Sequence, residues 1–191
     1  TYLAIEVNGE GLFLSFDNQK LQRWSKKKSV QQRAEKISDL FGGEPGFRPI
    51  PFEVDARAIF LHSFSHALIK QMALFGGYSS VAIREKLYLG PYHNGILIYT
   101  GESDSEGTMG GITSLGEKDK FAEVFLEAIE DCRWCSSDPI CSEHTPDHGS
   151  AENMAACHAC LHLSETSCEF SNKFLDRLLI VSDSDTGFFD E

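Results

Sequence analysis

Outside one short stretch this sequence has no cysteine, since all six lie between positions 132 and 168. That excludes a disulfide framework spread over the chain. No apolar run approaches the roughly 18–20 residues that a membrane-spanning helix requires. Basic residues are few, 17 Lys and Arg against 29 Asp and Glu, for a formal net charge of −12. Such a surface does not coat a nucleic acid unaided. No GxxxxGK[ST] loop and no DExH sequence occurs anywhere, so the chain carries no ATPase motor of its own, and no HExxH or HxE marks a hydrolytic zinc. No secretory leader precedes the cysteines, which sets the expectation of a cytoplasmic protein whose thiols stay reduced. Thr1 in place of Met sets another, of a trimmed start or the tail of a longer protein. Three Met against fourteen Phe promises an aromatic core.

What is there is organised around the cysteines, spaced Cys132-x2-Cys135-x5-Cys141-x15-Cys157-x2-Cys160-x7-Cys168. A CxxC turn places two sulfurs on one side of a tight knuckle at little entropic cost. Two such turns separated by a polar loop present thiolates to one tetrahedral Zn²⁺. Zinc takes four ligands and the segment offers six thiols, so two are surplus; Cys132, at the end of an apolar helical run, is the expected bystander. An iron–sulfur centre has the same ligand type, and a redox CxxC would want a preceding strand that the sequence does not show. Thiolate-rich sites are closed, and that predicts a structural metal rather than a catalytic one.

The fold class expected is α+β: a mainly helical, zinc-stapled domain with a few short strands and an N-terminal hairpin. Residues 2–16 read as that hairpin, turning at Asn8-Gly9. Residues 17–41 read as two helices, capped by Asp17 and Ser29. Between Asp17 and Lys36 lie Lys20, Arg23, Lys26, Lys27, Lys28, Arg33 and Lys36 against two acids, the one basic part of the chain and the candidate contact for nucleic acid or an acidic partner. A long helix over 53–75 is apolar on most sides. It carries His62 and His66 four apart, which is ligand spacing, although neutral core imidazoles are the favoured reading. A short polar helix is expected over 79–88, and an interior strand over 95–100. Glu102, Asp104 and Glu106 follow in a glycine-rich loop. Ser114-x-x-Glu117 reads as a capping box before another helix, and residues 171–177 as a last helix before an acidic tail that is loose apart from Phe188-Phe189. The division expected is 1–51 as an N-terminal extension, 52–181 as the zinc-binding domain and 182–191 as the tail.

Several of these segments occur together in one known family. Leu61-His-Ser-Phe-Ser-His-Ala-Leu68, Arg84-Glu-Lys-Leu-Tyr88, Gly95-Ile-Leu-Ile-Tyr-Thr100, Gly107-Thr-Met-Gly-Gly111, Ala155-Ala-Cys-His-Ala-Cys160, Glu165-Thr-Ser-Cys168 and Leu175-Asp-Arg177 resemble the zinc-binding C-terminal domain of mitomycin-repair superfamily-2 helicases, above all the version found in DISARM antiphage systems. The resemblance covers about residues 52–181. It implies Cys157, Cys160 and Cys168 as zinc ligands, with the fourth from Cys135 or Cys141. It further implies a non-enzymatic accessory domain beside a superfamily-2 helicase, in cis or in trans, reaching DNA through that complex. Two other classes stay in view: a metal-dependent hydrolase or nuclease using His62 and His66 with the 102–106 carboxylates, and a direct DNA-binding module built on the 20–36 helix.

Overall fold

The computed structural model describes residues 9–41, 50–101, 111–146 and 152–190. At its centre is a helix with no polar side, α3 (Ala56–Gly76). Asp55 opens it by accepting the Arg57 and Ala58 N–H groups at 2.9 and 3.0 Å. Gly77, at φ +68°, closes it in the left-handed conformation that lacks a Cβ penalty only for glycine. From Ala58 to Ile69 every side chain is buried, because other elements cover the helix all round.

A three-stranded antiparallel sheet covers one flank: β1 (Gly11–Ser15), β2 (Ile83–Leu89) and β3 (Asn94–Thr100), in the order β1-β3-β2. β3 is the interior strand, as its unbroken apolar run predicts. Gly95 is needed there because a Cβ would stand 2.6 Å from the Leu14 carbonyl oxygen and the Phe13 ring. The strand from Ile83 replaces the helix expected over 79–88. Arg-Glu-Lys favours a helix locally, but burial alternates, with Ile83, Glu85 and Leu87 inward and Arg84 and Tyr88 outward. A period of two that completes a ladder with β3 overrides local propensity. The first strand of the expected hairpin falls on residues outside those described; β1 pairs with β3.

α1 (Asn18–Ser25) and α2 (Lys28–Phe41) are the two helices predicted, and Asp17 caps α1 by accepting the Lys20 N–H at 2.8 Å. Ser29 does not cap α2, which begins one residue earlier. Beyond the sheet, the short α4 (Gly111–Leu115) precedes α5 (Lys118–Glu130). Ser114 belongs to α4 and its hydroxyl accepts Lys120 Nζ at 2.8 Å, so the expected capping box is not formed. No α-helix covers 171–177: Ser171, Asn172 and Phe174 have φ of 54°, 59° and 46°, and a 3₁₀ turn follows at Arg177–Leu179, with another at Phe188–Asp190. In the tail, expected to be loose apart from Phe188-Phe189, Thr186 is buried as well. Phe188 is buried with its ring 4.5 Å from that of Phe60, and the Trp24 indole N–H donates to the Thr186 carbonyl at 2.9 Å. Much of the phenylalanine excess is used here, in ring contacts joining Phe16, Phe60, Phe64, Phe125, Phe188 and Phe189.

The basic segment divides in two. Arg33 forms a two-bond pair with Asp176, at 2.5 and 3.0 Å, whose carboxylate is wholly buried. Lys27 pairs with Asp185 at 2.9 Å, and Lys20 lies over the Phe188 ring. Arg23, Lys26, Lys28 and Lys36 are exposed. Removing one partner of a buried pair strands the other charge, at about 3–5 kcal/mol. Arg33→Met is therefore expected to lower unfolding free energy by about that much, whereas Lys28→Met changes it by less than about 0.5 kcal/mol. Urea titration of the two variants checks the contrast.

Candidate metal centre

Two clusters of metal-ligating side chains stand in the described residues. The first is Cys135, Cys141, Cys157 and Cys160, whose four sulfurs all lie within 4.8 Å of one another. Individual separations are 3.5 Å for Cys135–Cys157, 3.7 Å for Cys141–Cys160 and 3.8 Å for Cys157–Cys160. A disulfide would require about 2.05 Å. A tetrahedron with Zn–S bonds of about 2.3 Å has edges of about 3.8 Å. The donor set and the edges both fit one Zn²⁺. When bound, the ion supplies a cross-link between two otherwise irregular loops.

Each loop is shaped for this by its own hydrogen bonds. The Cys157 N–H donates to Cys160 Sγ at 3.2 Å, closing the Cys157-His-Ala-Cys160 knuckle. Across from it, Asp138 holds the other loop, accepting the Cys135 N–H at 2.7 Å and the Ser142 N–H at 3.0 Å. Arg177, itself buried, holds Asp138 in turn through Nη2, at 2.5 and 2.6 Å to the two carboxylate oxygens, and donates to the Cys132 carbonyl at 3.0 Å. Burial alone would raise the Asp138 carboxyl, but the Cys135 amide and the guanidinium hold it below its ordinary value. Neither Asp138 nor Arg177 was singled out as functional in the sequence; a charged residue in an apolar run, as at Leu175-Asp-Arg-Leu-Leu179, is the signal that was there to read.

The thiols are electrostatically unlike. The hydrogen bond from Cys141 holds Cys160 down to about 5, against the upward push of burial, and the same bond pushes Cys141 up. Burial pushes Cys132 up to about 12. Four thiolates so close repel one another strongly unless a cation lies between them. Cys132 is outside the cluster and packs in the core, as its helix position suggests.

Cys168 is not with these four. It belongs to a second cluster, with His62, His66 and Glu85, whose four ligand atoms also lie within 4.8 Å. All four residues are buried. His62 Nε2 is 3.1 Å from Cys168 Sγ and 3.0 Å from Glu85 Oε1, and His66 Nε2 is 3.3 Å from the same oxygen. Burial pushes the His62 imidazole down against the pull of Glu85. Burial would lift the Glu85 carboxyl, yet the two imidazoles hold it well below the usual carboxylate range. The histidines thus face the interior and meet a carboxylate from β2. The 102–106 carboxylates named as their partners lie outside the described residues. Glu85 was missed in the sequence because residues 79–88 were read as a polar helix; its place between Ile83 and Leu87 marked it as inward on a strand.

A family model described as the MrfA Zn-binding domain matches residues 64–161, about half of the chain. The chain belongs to that family. The MrfA Zn-binding segment contains all four cysteines of the first cluster and ends before Cys168. The chain is also similar to a protein of Bacillus paralicheniformis named DISARM protein DrmB, with 40% identity over 188 residues, or 97% of this chain and 34% of the relative. It therefore spans about a third of the length of the curated relative it matches.

Two substitutions probe the MrfA-type centre. Asp138→Asn removes the charge opposite buried Arg177 while keeping the side chain's size. Losing such an outer partner is expected to weaken zinc affinity by about 10–100-fold. Cys132→Ala, in contrast, is expected to leave zinc content unchanged and to cost roughly 1 kcal/mol of packing. Competition with a chromophoric chelator reads the first effect, and elemental analysis with denaturant unfolding reads the second.

Proposed function

We propose that this chain is a non-catalytic accessory domain, stapled by zinc through Cys135, Cys141, Cys157 and Cys160, that works beside an ATP-driven superfamily-2 DNA helicase in antiphage defence or DNA repair. The observation that carries the reading is the pairing of an MrfA-type zinc cluster with 40% identity to a protein named for DISARM along nearly the whole chain. The helicase stands in cis or in trans, and DNA is reached through the complex. Two features favour an accessory role over a metal-dependent hydrolase. The four thiols complete a zinc shell without leaving a position for water, and His62 and His66 are fully buried rather than lining an open pocket.

A direct DNA contact is the second reading, and what favours it is the exposure of Arg23, Lys26, Lys28 and Lys36 on the two N-terminal helices. Lys20, Lys27 and Arg33 have partners in the chain itself, so they contribute less to an outward field. Four exposed cations on a body of net charge −12 suit a supplementary phosphate contact within an assembly.

The test is capture of the tagged full-length protein from its own cells. A superfamily-2 helicase should co-purify, and the chain alone should hydrolyse no ATP and cut no DNA with Mg²⁺ or Mn²⁺. Turnover by the chain that disappears in a folded His66→Ala variant would overturn the accessory reading. Reversing Arg23, Lys26, Lys28 and Lys36 to Glu is expected to lower the assembly's DNA affinity and to flatten its salt dependence, without changing zinc content. Unchanged affinity and slope would mark the four as a solvated face.

A further inference from the structure

The second cluster is buried and polar. The His66 Nδ1 atom lies 2.9 Å from the Leu161 carbonyl, which can only accept, so Nδ1 carries the hydrogen. In the neutral ring the lone pair is then on Nε2, and it faces Glu85 Oε1 at 3.3 Å. Two acceptors aimed at each other in a dry interior repel unless a cation lies between them. The other carboxylate oxygen is already engaged, by the Ser65 hydroxyl, which leaves Oε1 for the cluster. His62 turns its Nε2 the same way, and its buried Nδ1 has no hydrogen-bond partner among the described residues.

Cys168 supplies the independent observation. Its sulfur accepts two backbone N–H groups, from Phe170 at 3.3 Å and Asn172 at 3.2 Å. Burial pushes this thiol up and the two amides act against that push; the same amide-to-sulfur bonds occur at the first cluster, where Cys157 and Ser137 amides donate to Cys160 and Cys135. The backbone places this sulfur deliberately: the Glu85 N–H donates to the Ser167 carbonyl at 3.2 Å, which sets Cys168 beside β2. The separations of 3.0 to 3.3 Å among Nε2, Oε1 and Sγ are close to the edges of about 3.3 Å expected around an ion bound at 2.0–2.1 Å.

We propose that His62, His66, Glu85 and Cys168 form a second metal site, closed and structural, that takes a divalent transition ion, Zn²⁺ first. Two borderline imidazoles, a hard carboxylate and a soft thiolate make a mixed donor set that suits zinc better than magnesium or calcium. Four protein ligands leave no open position, so the ion does no hydrolysis. Its work is to pin α3 to β2 and to the loop that leaves the first zinc knuckle. The His66–Leu161 and Ser65–Glu85 hydrogen bonds act as the outer partners that orient the ligands.

The experiment is metal counting on the full chain, purified from zinc-replete medium without chelator, together with X-ray absorption at the zinc edge. Two equivalents are expected, with a first shell averaging five sulfurs and three nitrogen or oxygen atoms per two ions. His66→Gln with Cys168→Ser should reduce this to one equivalent in an all-sulfur shell. A wild-type protein with one equivalent and only sulfur around it would overturn the proposal, and so would a mixed shell that survives the double substitution. The absorption measurement needs no variant, so a double variant that fails to fold leaves the wild-type result decisive. One equivalent in a shell of one sulfur and three lighter atoms would keep the second site and remove the four-cysteine one, which separates the two readings.

Discussion

Two consecutive buried charges, Asp176 and Arg177, hold together parts of the molecule that have little else in common. Asp176 takes the guanidinium of Arg33 on α2, while its own N–H donates to Ser63 on α3. Arg177 takes Asp138 in the cysteine loop and the carbonyl at the end of α5. A buried charge costs several kcal/mol of desolvation, recovered only when partners of good geometry are in place. Each partner is therefore specified: α2 must present Arg33, and the Cys135 loop must present Asp138. The zinc-binding loops and the N-terminal helices are thereby fixed to the same short strip of chain. Geometry at the sulfurs depends on that strip as much as on the cysteines.

The strip itself has almost no regular structure, and side-chain amides account for its stability. Asn153 accepts the Leu175 N–H at 2.7 Å and donates to the Asn172 carbonyl, also at 2.7 Å. Asn172 accepts from the Leu163 N–H at 2.8 Å and returns a hydrogen to its carbonyl at 2.9 Å. Buried backbone groups must be satisfied, and where neither helix nor ladder is available, a short amide side chain such as asparagine can donate and accept at once. Positive φ at Asn172 is also tolerated more easily by asparagine than by most residues. The arrangement turns the chain sharply between Cys160 and Cys168, sending neighbouring cysteines to different clusters.

How much of this could be read from the residues depended on whether local pattern and tertiary context agreed. The α+β class, the enclosed helix, the interior strand at 95–100 and the zinc-binding cysteine segment all have one-dimensional signatures, and the structure has them. β2 was misread because Arg84-Glu-Lys86 has helical propensity, while the ladder with β3 and the inward period of Ile83, Glu85 and Leu87 decide otherwise. That single misreading concealed Glu85, and with it the partner of both histidines. The grouping of Cys168 was not legible in its spacing, because seven intervening residues suit either cluster; the choice is made by turns at Ser171, Asn172 and Phe174. The tail was read as loose apart from Phe188-Phe189; Phe188 packs on Trp24 in keeping with that exception, and what the acidity concealed is Thr186, whose carbonyl accepts the Trp24 indole N–H.

Charge distribution links this architecture to the DNA contact proposed for it. The basic helices look like a binding face in sequence, yet Arg33 is spent on the buried Asp176, Lys27 on Asp185 and Lys20 on an aromatic ring. These contacts build the body that carries the metal loops, so the same cations cannot also serve as an outward field at full strength. Exposed charges are further screened beyond about 8 Å at cellular salt, which limits repulsion from the acidic remainder as well as attraction by the basic residues that remain. Long-range steering by this chain is accordingly weak in either direction. Any nucleic-acid contact it makes must be short-range, at a phosphate already brought near by something else. That condition suits a rigid body carried by a larger machine, and the closed thiolate cluster contributes rigidity of that kind.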